Sequence, residues 1–237
     1  MRIRIKFSKY GPVRFIGHLD VMRYFQKAIR RAKIDIAYSE GFSPHQKMSF
    51  AAPLSVGHTS NGEYFDIEVN HLDSIEQMKN ALQKEMVDGI DILDAAFLPE
   101  DAGNAMASVA AASYYITMDE QVSLPENFYE ALLEFYDQPE IMVVKETKRG
   151  HREVNLKDSI YELDIREDTL GAAKEPSRQR IYMKLNASSG GNIKPSFVLE
   201  CFCKTINYEL PPFCFRVHRI ETYQEMGGKL QPLLWEK

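Results

Sequence analysis

Cysteine is scarce in this chain, and long apolar runs are missing from it. The 237 residues include three cysteines, Cys201, Cys203 and Cys214, whose spacing fits neither a CxxC site nor the CxxxCxxC of an iron–sulfur cluster. Their odd number and their apolar neighbours indicate reduced, buried thiols and therefore a cytoplasmic protein. No segment approaches the roughly 20 apolar residues of a membrane span, so we expect no membrane partner.

The chain also lacks the common motifs of catalysis and nucleotide binding. It contains no Walker GxxxxGK[ST], no GxGxxG, no HExxH and no nucleophile elbow. His18 and His45 are the only histidines in motif-like settings, and no third ligand accompanies them at metal-site spacing. We therefore expect no metal and no cofactor, and the sequence leans against an enzyme without deciding the question.

What is present is a local excess of positive charge. The whole chain carries a net charge of −5, but its first fifty residues hold eleven Lys/Arg against three Asp/Glu, a balance of +8. The remaining 187 residues therefore carry −13. A focused positive field on an acidic protein points to a local anionic partner, such as a phosphate backbone.

Hydrophobic periodicity predicts the fold. Alternation over Arg2–Lys9 predicts a strand with a basic outer face, and apolar residues at helical spacing predict helices at about Leu19–Lys33 and Ser74–Met86. With strands at Ile34–Tyr38, Lys47–Leu54, Glu63–Val69 and Ile90–Leu98, the first part reads as β-α-β-β-α-β with one strand in addition.

The same rhythm returns in the second half, with one extra hairpin. The sequence therefore predicts an α+β fold of two tandem ferredoxin-like (βαββαβ) units with antiparallel sheets. The first unit spans 1–99 and the second spans 113–237. Pro99–Ala112, which is rich in small residues, is the predicted linker between them.

A cationic face on the first helix is the strongest functional signal. Its members are Arg23, Lys27, Arg30 and Arg31, and no acidic residue follows Asp20 in the helix. We expect this face, together with Arg14, to contact nucleic-acid phosphates, because each contact releases condensed counterions. The alternative is a solvated face that pairs with acids of the second unit.

Two compact motifs in the basic region place histidines beside turns. In RFIGHLD, His18 is a candidate general acid/base or phosphate donor at a helix N-terminus, or else part of a structural cap. In SEGFSPH, Phe42 and His45 lie on a Gly/Pro loop, where Phe42 either stacks on an unpaired base or folds into the core. We expect His18 and His45 to approach each other.

The second half adds two weaker signals. The KRGHR turn contributes Lys148, Arg149 and Arg152, which are candidate nucleic-acid contacts or simply solvated charges. The SSGGN loop before a helix offers Gly190, Gly191 and Asn192 as an anion-binding loop, or else as a tight turn with Asn192 near the cap.

Two long stretches carry a resemblance to a known family. The run FSKYGPVRFIGHLDVMRYFQKAIRRAKIDIAYSEGFSPHQKMSFAAPLSVGHTSNGEYFDIEV, and the later ASSGGNIKPSFVLE, resemble the bacterial radical-SAM-linked protein family, whose members occur alone or fused behind a radical-SAM domain. The resemblance implies a separately encoded radical-SAM enzyme as a partner.

Together with the basic face, the resemblance predicts an RNA-binding accessory module that presents a substrate to that enzyme. Two alternatives remain. One is a metal-independent RNA-processing or RNA-modifying enzyme that uses His18 and His45. The other is a protein-interaction subunit without nucleic acid.

Overall fold

The computed structural model describes residues 1–147, 150–167 and 179–234, which form a mixed α+β fold with a mainly antiparallel sheet. The chain divides into two compact units, Met1–Ala110 with Arg219–Lys237, and Ala111–His218. The C-terminal segment therefore groups with the first unit, whereas the division made from the sequence places it in the second. One reason is direct hydrogen bonding: the Thr222 hydroxyl donates to the Gly62 carbonyl at 2.7 Å.

The first unit begins with seven elements, all of which precede residue 98. They are β1 (Arg2–Lys9), a 3-10 helix (Gly11–Phe15), α1 (His18–Arg31), β2 (Met48–Phe50), β3 (Thr59–Glu68), α2 (Ile75–Gln83) and β4 (Ile92–Phe97). Strand β1 lies between β3 and β4 and is antiparallel to both, and β2 pairs with the second half of β3. The predicted strand at 34–38 is reduced to isolated bridges at Ile36 and Tyr38.

One face of β1 builds the core of this unit. Ile3, Ile5 and Phe7 are buried there against apolar side chains of α1 and α2. The Phe25 ring centroid lies 4.8 Å from that of Phe7 and 4.7 Å from that of Phe65. Burying one such side chain stabilises the fold by about 1.5–3 kcal/mol. The apolar sides of β1 and α1, which their sequence patterns predict, therefore pack against each other.

The opposite face of β1 is covered, which corrects the expectation of a basic outer face. Arg4 is 1% exposed, and its guanidinium forms a bidentate pair with Asp66 at 2.8 and 3.0 Å. Lys6 lies 2.6 Å from the Glu221 carboxylate. The cover comes from distant segments of the chain, because Arg4 also donates to the carbonyls of Gly103 and Leu233.

The predicted linker packs against the first unit over much of its length. Arg2 donates to the carbonyls of Pro99, Glu100 and Ala102 at 2.6–3.0 Å. Ala105, which is fully buried, begins the short helix α3 (Ala105–Ser108), and its N–H donates to Asp66. Small side chains suit this segment because they allow the backbone to approach the sheet closely.

Within the described residues, the second unit contains seven strands and α-helices that end before residue 206, and a 3-10 helix (Leu156–Ser159). The seven are β5 (Ala111–Met118), α4 (Phe128–Asp137), β6 (Met142–Thr147), β7 (Gly150–Asn155), β8 (Ile160–Glu167), β9 (Gln179–Asn186) and α5 (Pro195–Thr205). Strand β10 (Phe215–Met226) crosses the boundary between the units at His218, and β11 (Lys229–Pro232) pairs with it in the first unit.

The strand order in the second unit is β10-β5-β9-β8, and β6 and β7 form a separate hairpin. Its core joins α4 and α5 to the sheet through Phe128, Leu132 and Phe202, all of which are buried. Throughout the described ranges of both units, every helix is too short or too polar to cross a membrane.

Candidate nucleic-acid and anion interfaces

Helix α1 exposes its cations on the side away from the core. It begins at His18 and buries Val21 and Phe25, which leaves Arg23, Lys27 and Arg30 exposed. The contact between Arg23 and Asp20 is 3.5 Å long, with both side chains about two-thirds exposed (70% and 64%), so solvent screens most of its energy. These three charges are therefore accessible to an anionic ligand.

Arg31 and Arg14, which the sequence also predicts as nucleic-acid contacts, each contact another side chain of the first unit. The Arg31 guanidinium lies 2.6 Å from the Glu85 carboxylate and also donates to the Glu85 carbonyl. Arg14 is half-buried in the 3-10 helix, where its guanidinium lies 4.7 Å from the centre of the Phe15 ring. Of the four helix cations predicted from the sequence, three thus have no ion pair outside α1 among the described residues, and Arg31 pairs with Glu85 beyond the end of α2.

The SEGFSPH segment forms a closed loop beside α1. The Ser39 N–H donates to the His45 carbonyl at 2.8 Å, and the Ser39 hydroxyl lies 2.8 Å from the His45 ring nitrogen Nδ1. Gly41 has φ of +107°, a conformation that other residues rarely adopt. This closure leaves Phe42 fully exposed at the tip instead of folded into the core.

A hydrogen bond ties the base of this loop to the helix. The Gln46 side chain, which is buried, donates to the Gln26 carbonyl of α1 at 3.3 Å. The exposed ring of Phe42 and the cations of α1 therefore belong to neighbouring parts of one unit. We call Arg23, Lys27, Arg30, Phe42 and His45 the α1 surface.

His18 lies in a different setting from His45. Its ring is 5.5 Å from that of Phe50, and it borders a cavity of about 10 Å³ that Phe7 and Glu63 also line. That space is at the lower limit for one water molecule. Among the described residues, no hydrogen bond or ring contact joins the two histidines, so their expected approach stays a prediction.

The surroundings of His18 contain charged groups that the sequence did not single out. Burial lowers the pKa of His18, and the negative charge of Glu63 opposes that effect. Glu63 is itself buried and pairs with Arg219 at 3.0 Å. Burial also lowers the pKa of Lys9, whose ammonium donates to the Ile16 carbonyl at 2.9 Å. Lys9, Glu63 and Arg219 lie far apart in the sequence, so no local pattern predicts this cluster.

In the second unit, the SSGGN loop and the β6–β7 hairpin come together. Lys145 of β6 donates to the Asn192 carbonyl at 2.8 Å, and Arg152 is the cross-strand neighbour of Lys145. Lys148 and Arg149 lie outside the described residues. Two signals that were separate in the sequence, the cationic run that begins at Lys145 and the SSGGN loop, thus adjoin through Lys145 itself.

The SSGGN loop uses its own backbone in a tight turn. The Gly191 N–H donates to the Ser188 carbonyl at 3.2 Å, and a Cβ on Gly191 would lie 2.7 Å from the Asn186 side chain. Gly190 faces open space. The loop therefore offers a ligand the side chains around it rather than the Gly191 N–H.

Next to this loop is a cleft of about 720 Å³. We call it the α5 cleft, because it follows one side of α5 and faces the hairpin. Its lining combines cations, apolar groups and one acid: Val144, Lys145, His151, Asn192, Ile193, Lys194, Phe197, Glu200 and Lys204.

Comparison with known proteins identifies a family but no function. No curated protein matches the chain. Among solved structures, the first two RRM domains of the yeast poly(U) binding protein Pub1 match at 11% identity and a TM-score of 0.19, covering 92% of this chain and 98% of theirs. The encapsulated DyP-type peroxidase from Mycobacterium smegmatis matches at 11% identity and a TM-score of 0.21, covering 93% and 90%. Likenesses this weak support no argument about fold or function.

The family match rests on sequence and covers most of the chain. The family model described as "Uncharacterized protein conserved in bacteria (DUF2344)" matches residues 2–195, which include the α1 surface and the start of the α5 cleft. The chain therefore belongs to this conserved bacterial family.

Proposed function

We propose that this protein binds single-stranded RNA through the α1 surface. The observation that carries the proposal is the combination of three exposed cations, Arg23, Lys27 and Arg30, with a fully exposed Phe42 on a loop hydrogen-bonded to the same helix. Cations attract the phosphate backbone regardless of sequence, and an exposed aromatic ring stacks on a base that is not paired.

The two kinds of contact make separable contributions to affinity. The three cations lie on one side of α1 within two turns, a length of roughly 10 Å, so a single strand passing along the helix reaches all of them. Their contribution depends on salt. Stacking on Phe42 is worth about 1–3 kcal/mol for one base and depends little on salt.

Binding of a fluorescent single-stranded RNA at several salt concentrations tests the proposal. For three phosphate contacts we expect a log–log salt slope of roughly −2. The triple variant Arg23→Gln/Lys27→Gln/Arg30→Gln should lose that slope and most of the affinity. A control with the same charge change, Lys79→Gln/Lys84→Gln/Lys229→Gln, should bind like the wild type.

Phe42→Ala should weaken binding about 5–150-fold without changing the slope, in keeping with the loss of one stacked base. The proposal fails if wild-type binding is independent of salt, or if both triple variants lose affinity equally. RNA turnover that His18→Ala abolishes would instead support the enzyme alternative. Capture of a protein partner without any RNA affinity would support the interaction subunit.

We further propose that the bound RNA is presented to a separately encoded radical-SAM enzyme. The support is the resemblance of the FSKYGPVRF…FDIEV run and of ASSGGNIKPSFVLE to radical-SAM-linked proteins. Affinity purification of the tagged protein from its own cells should recover that enzyme. If ribonuclease treatment abolishes the recovery, RNA mediates the association of the two proteins. Failure to recover any radical-SAM enzyme would contradict this part of the proposal.

We also infer a ferredoxin-like arrangement for each unit. The support is the alternation of elements: in both units a helix follows the first strand of the sheet, and a second helix precedes the last strand. The strand orders β4-β1-β3, with β2 beside β3, and β10-β5-β9-β8 agree with this arrangement. An experimental structure with a different strand order in either unit would contradict it.

A further inference from the structure

The α5 cleft has the size and lining of a site for a small phosphorylated molecule. Its volume of about 720 Å³ falls within the range of about 300–1,000 Å³ typical of small-molecule sites. The cleft lies wholly within the second unit, since its lining runs from Val144 to Lys204. It is therefore separate in sequence and in unit from the α1 surface.

The charge of the lining favours an anion. Lys194 and Lys204 are exposed, and neither side chain has a hydrogen bond or ion pair within the described parts of the chain, while His151 adds an imidazole ring. Glu200 is the single acidic group in the lining. Two lysines without partners beside one carboxylate leave a local excess of positive charge, which a phosphate would neutralise.

Lys145 contributes by fixing the cleft's shape. Its hydrogen bond to the Asn192 carbonyl connects β6 to the loop that leads into α5. The two walls of the cleft, hairpin and helix, are therefore held together by a direct contact before any ligand arrives. A site whose walls are already joined loses less conformational entropy when it binds.

The order of residues along α5 indicates what the anion is attached to. Lys194 is the N-cap residue of the helix, Phe197 follows about one turn later, and Glu200 and Lys204 continue along the cleft. Lys194 and Phe197 are separated by roughly 4.5 Å along the axis, and Lys194 and Lys204 by about 15 Å. The positive end of the helix dipole adds to the charge of Lys194.

This spacing suits a phosphate joined to a planar ring. The phosphate would lie at Lys194, the ring would pack against Phe197 and Ile193, and Glu200 would accept hydrogen bonds from hydroxyl or amino groups further along. We propose that the α5 cleft binds a nucleoside 5′-monophosphate group. Two sources share this chemistry: a free nucleotide and the phosphorylated 5′ end of an RNA.

Calorimetric titration of the full chain with AMP, adenosine and inorganic phosphate tests the site. AMP should bind at least about 10-fold more tightly than adenosine, because the phosphate contributes charge-assisted hydrogen bonds. Lys194→Gln should weaken AMP binding about 10-fold, while Arg216→Gln, which removes an exposed cation outside the cleft, should not change it. Phe197→Leu should weaken AMP binding without changing binding of inorganic phosphate.

The same titrations with 5′-phosphorylated and 5′-hydroxyl oligonucleotides separate the two sources. If the RNA end is the ligand, the 5′-phosphate should strengthen binding, and Lys194→Gln should remove that gain. If a free nucleotide is the ligand, AMP should bind and the two oligonucleotides should bind equally.

The inference is overturned if AMP binds no more tightly than adenosine, or if Lys194→Gln has no effect on AMP binding. Thermal melting of each variant checks that it is folded, and Lys194→Met replaces Lys194→Gln if the latter is not. The α1-surface triple variant should still bind AMP as the wild type does, so that failure of this site and failure of the RNA-binding surface are distinguished.

Discussion

Replacing Arg4 with Met should destabilise the first unit by about 3–5 kcal/mol, because it leaves the buried Asp66 carboxylate without its ion-pair partner. In the folded protein Arg4 makes two hydrogen bonds to Asp66, at 2.8 and 3.0 Å, and Asp66 also accepts the Ala105 N–H at 2.6 Å. The variant retains only the last of these. Since domains are stable by about 5–15 kcal/mol, the expected loss is a large part of the total.

Two further variants isolate the cause of this loss. Arg4→Met/Asp66→Asn removes both charges and keeps a side-chain oxygen that accepts the Ala105 N–H, so it should recover most of the stability that the unpaired buried charge costs. Arg23→Met removes an exposed arginine whose contact with Asp20 is long, so its cost should be about 0–1 kcal/mol. Urea unfolding followed by circular dichroism measures all three.

Limited proteolysis gives an independent readout of the same contact. Arg2 and Arg4 together hold the carbonyls of Pro99, Glu100, Ala102 and Gly103, so the wild-type protein should resist cleavage there. The sequence alone predicts early cleavage in this segment because it reads as a linker. Arg4→Met should be cleaved there sooner than the wild type. Rapid cleavage of the wild type, or a loss below about 1 kcal/mol in Arg4→Met, would refute the reasoning.

Three other perturbations test packing, thiol chemistry and protonation. Gly62→Ala should lower the free energy of unfolding by about 1–3 kcal/mol, because its Cβ would lie 2.5 Å from the Glu221 Cα. The control variant Gly190→Ala places its Cβ in open space and should leave the urea midpoint unchanged. Equal effects of the two variants would contradict this. Burial raises the pKa of Cys203 to about 11, so a thiol reagent at pH 8 should label it only after unfolding. Burial lowers the pKa of His18 below its usual 6.5, so the unfolded state binds more protons than the folded state below that pH. The stability that neutral His18 contributes is therefore complete above pH 6.5 and is lost as the pH falls. His18→Gln should flatten the decline in stability between pH 7 and 5, and an unchanged slope would argue against this.

Local patterns predicted the secondary structure closely where a strand or helix buries one side. Strand β1 has the predicted bounds Arg2–Lys9, and α5 has the predicted start at Pro195. The prediction was wrong at 34–38, where the chain leaves α1 through Lys33 at φ +55° and makes only isolated bridges. A short, mostly apolar run does not reveal whether a neighbouring strand is available along its length.

For the candidate sites, too, the sequence predicted local features and missed contacts between distant residues. Exposure of Arg23, Lys27 and Arg30 follows from their position opposite the apolar stripe of α1, which the sequence displays. The pairing of Arg31 with Glu85 does not follow from this pattern, because Glu85 lies 54 positions further along the chain. The sequence also allowed Phe42 to lie either at the surface or in the core. The hydrogen bond that closes the loop between Ser39 and His45 leaves it exposed.

The sequence by itself determined the α+β class, the main strands and helices, the cationic side of α1 and membership of the family, because each depends on the order of neighbouring residues. Only the tertiary structure decided that Arg4 is internal, that the C-terminal segment belongs to the first unit, and that the hairpin and the SSGGN loop form one cleft. Those features depend on contacts between residues up to 229 positions apart. Burial and charge pairing over such separations arise from packing, and periodicity carries no record of them.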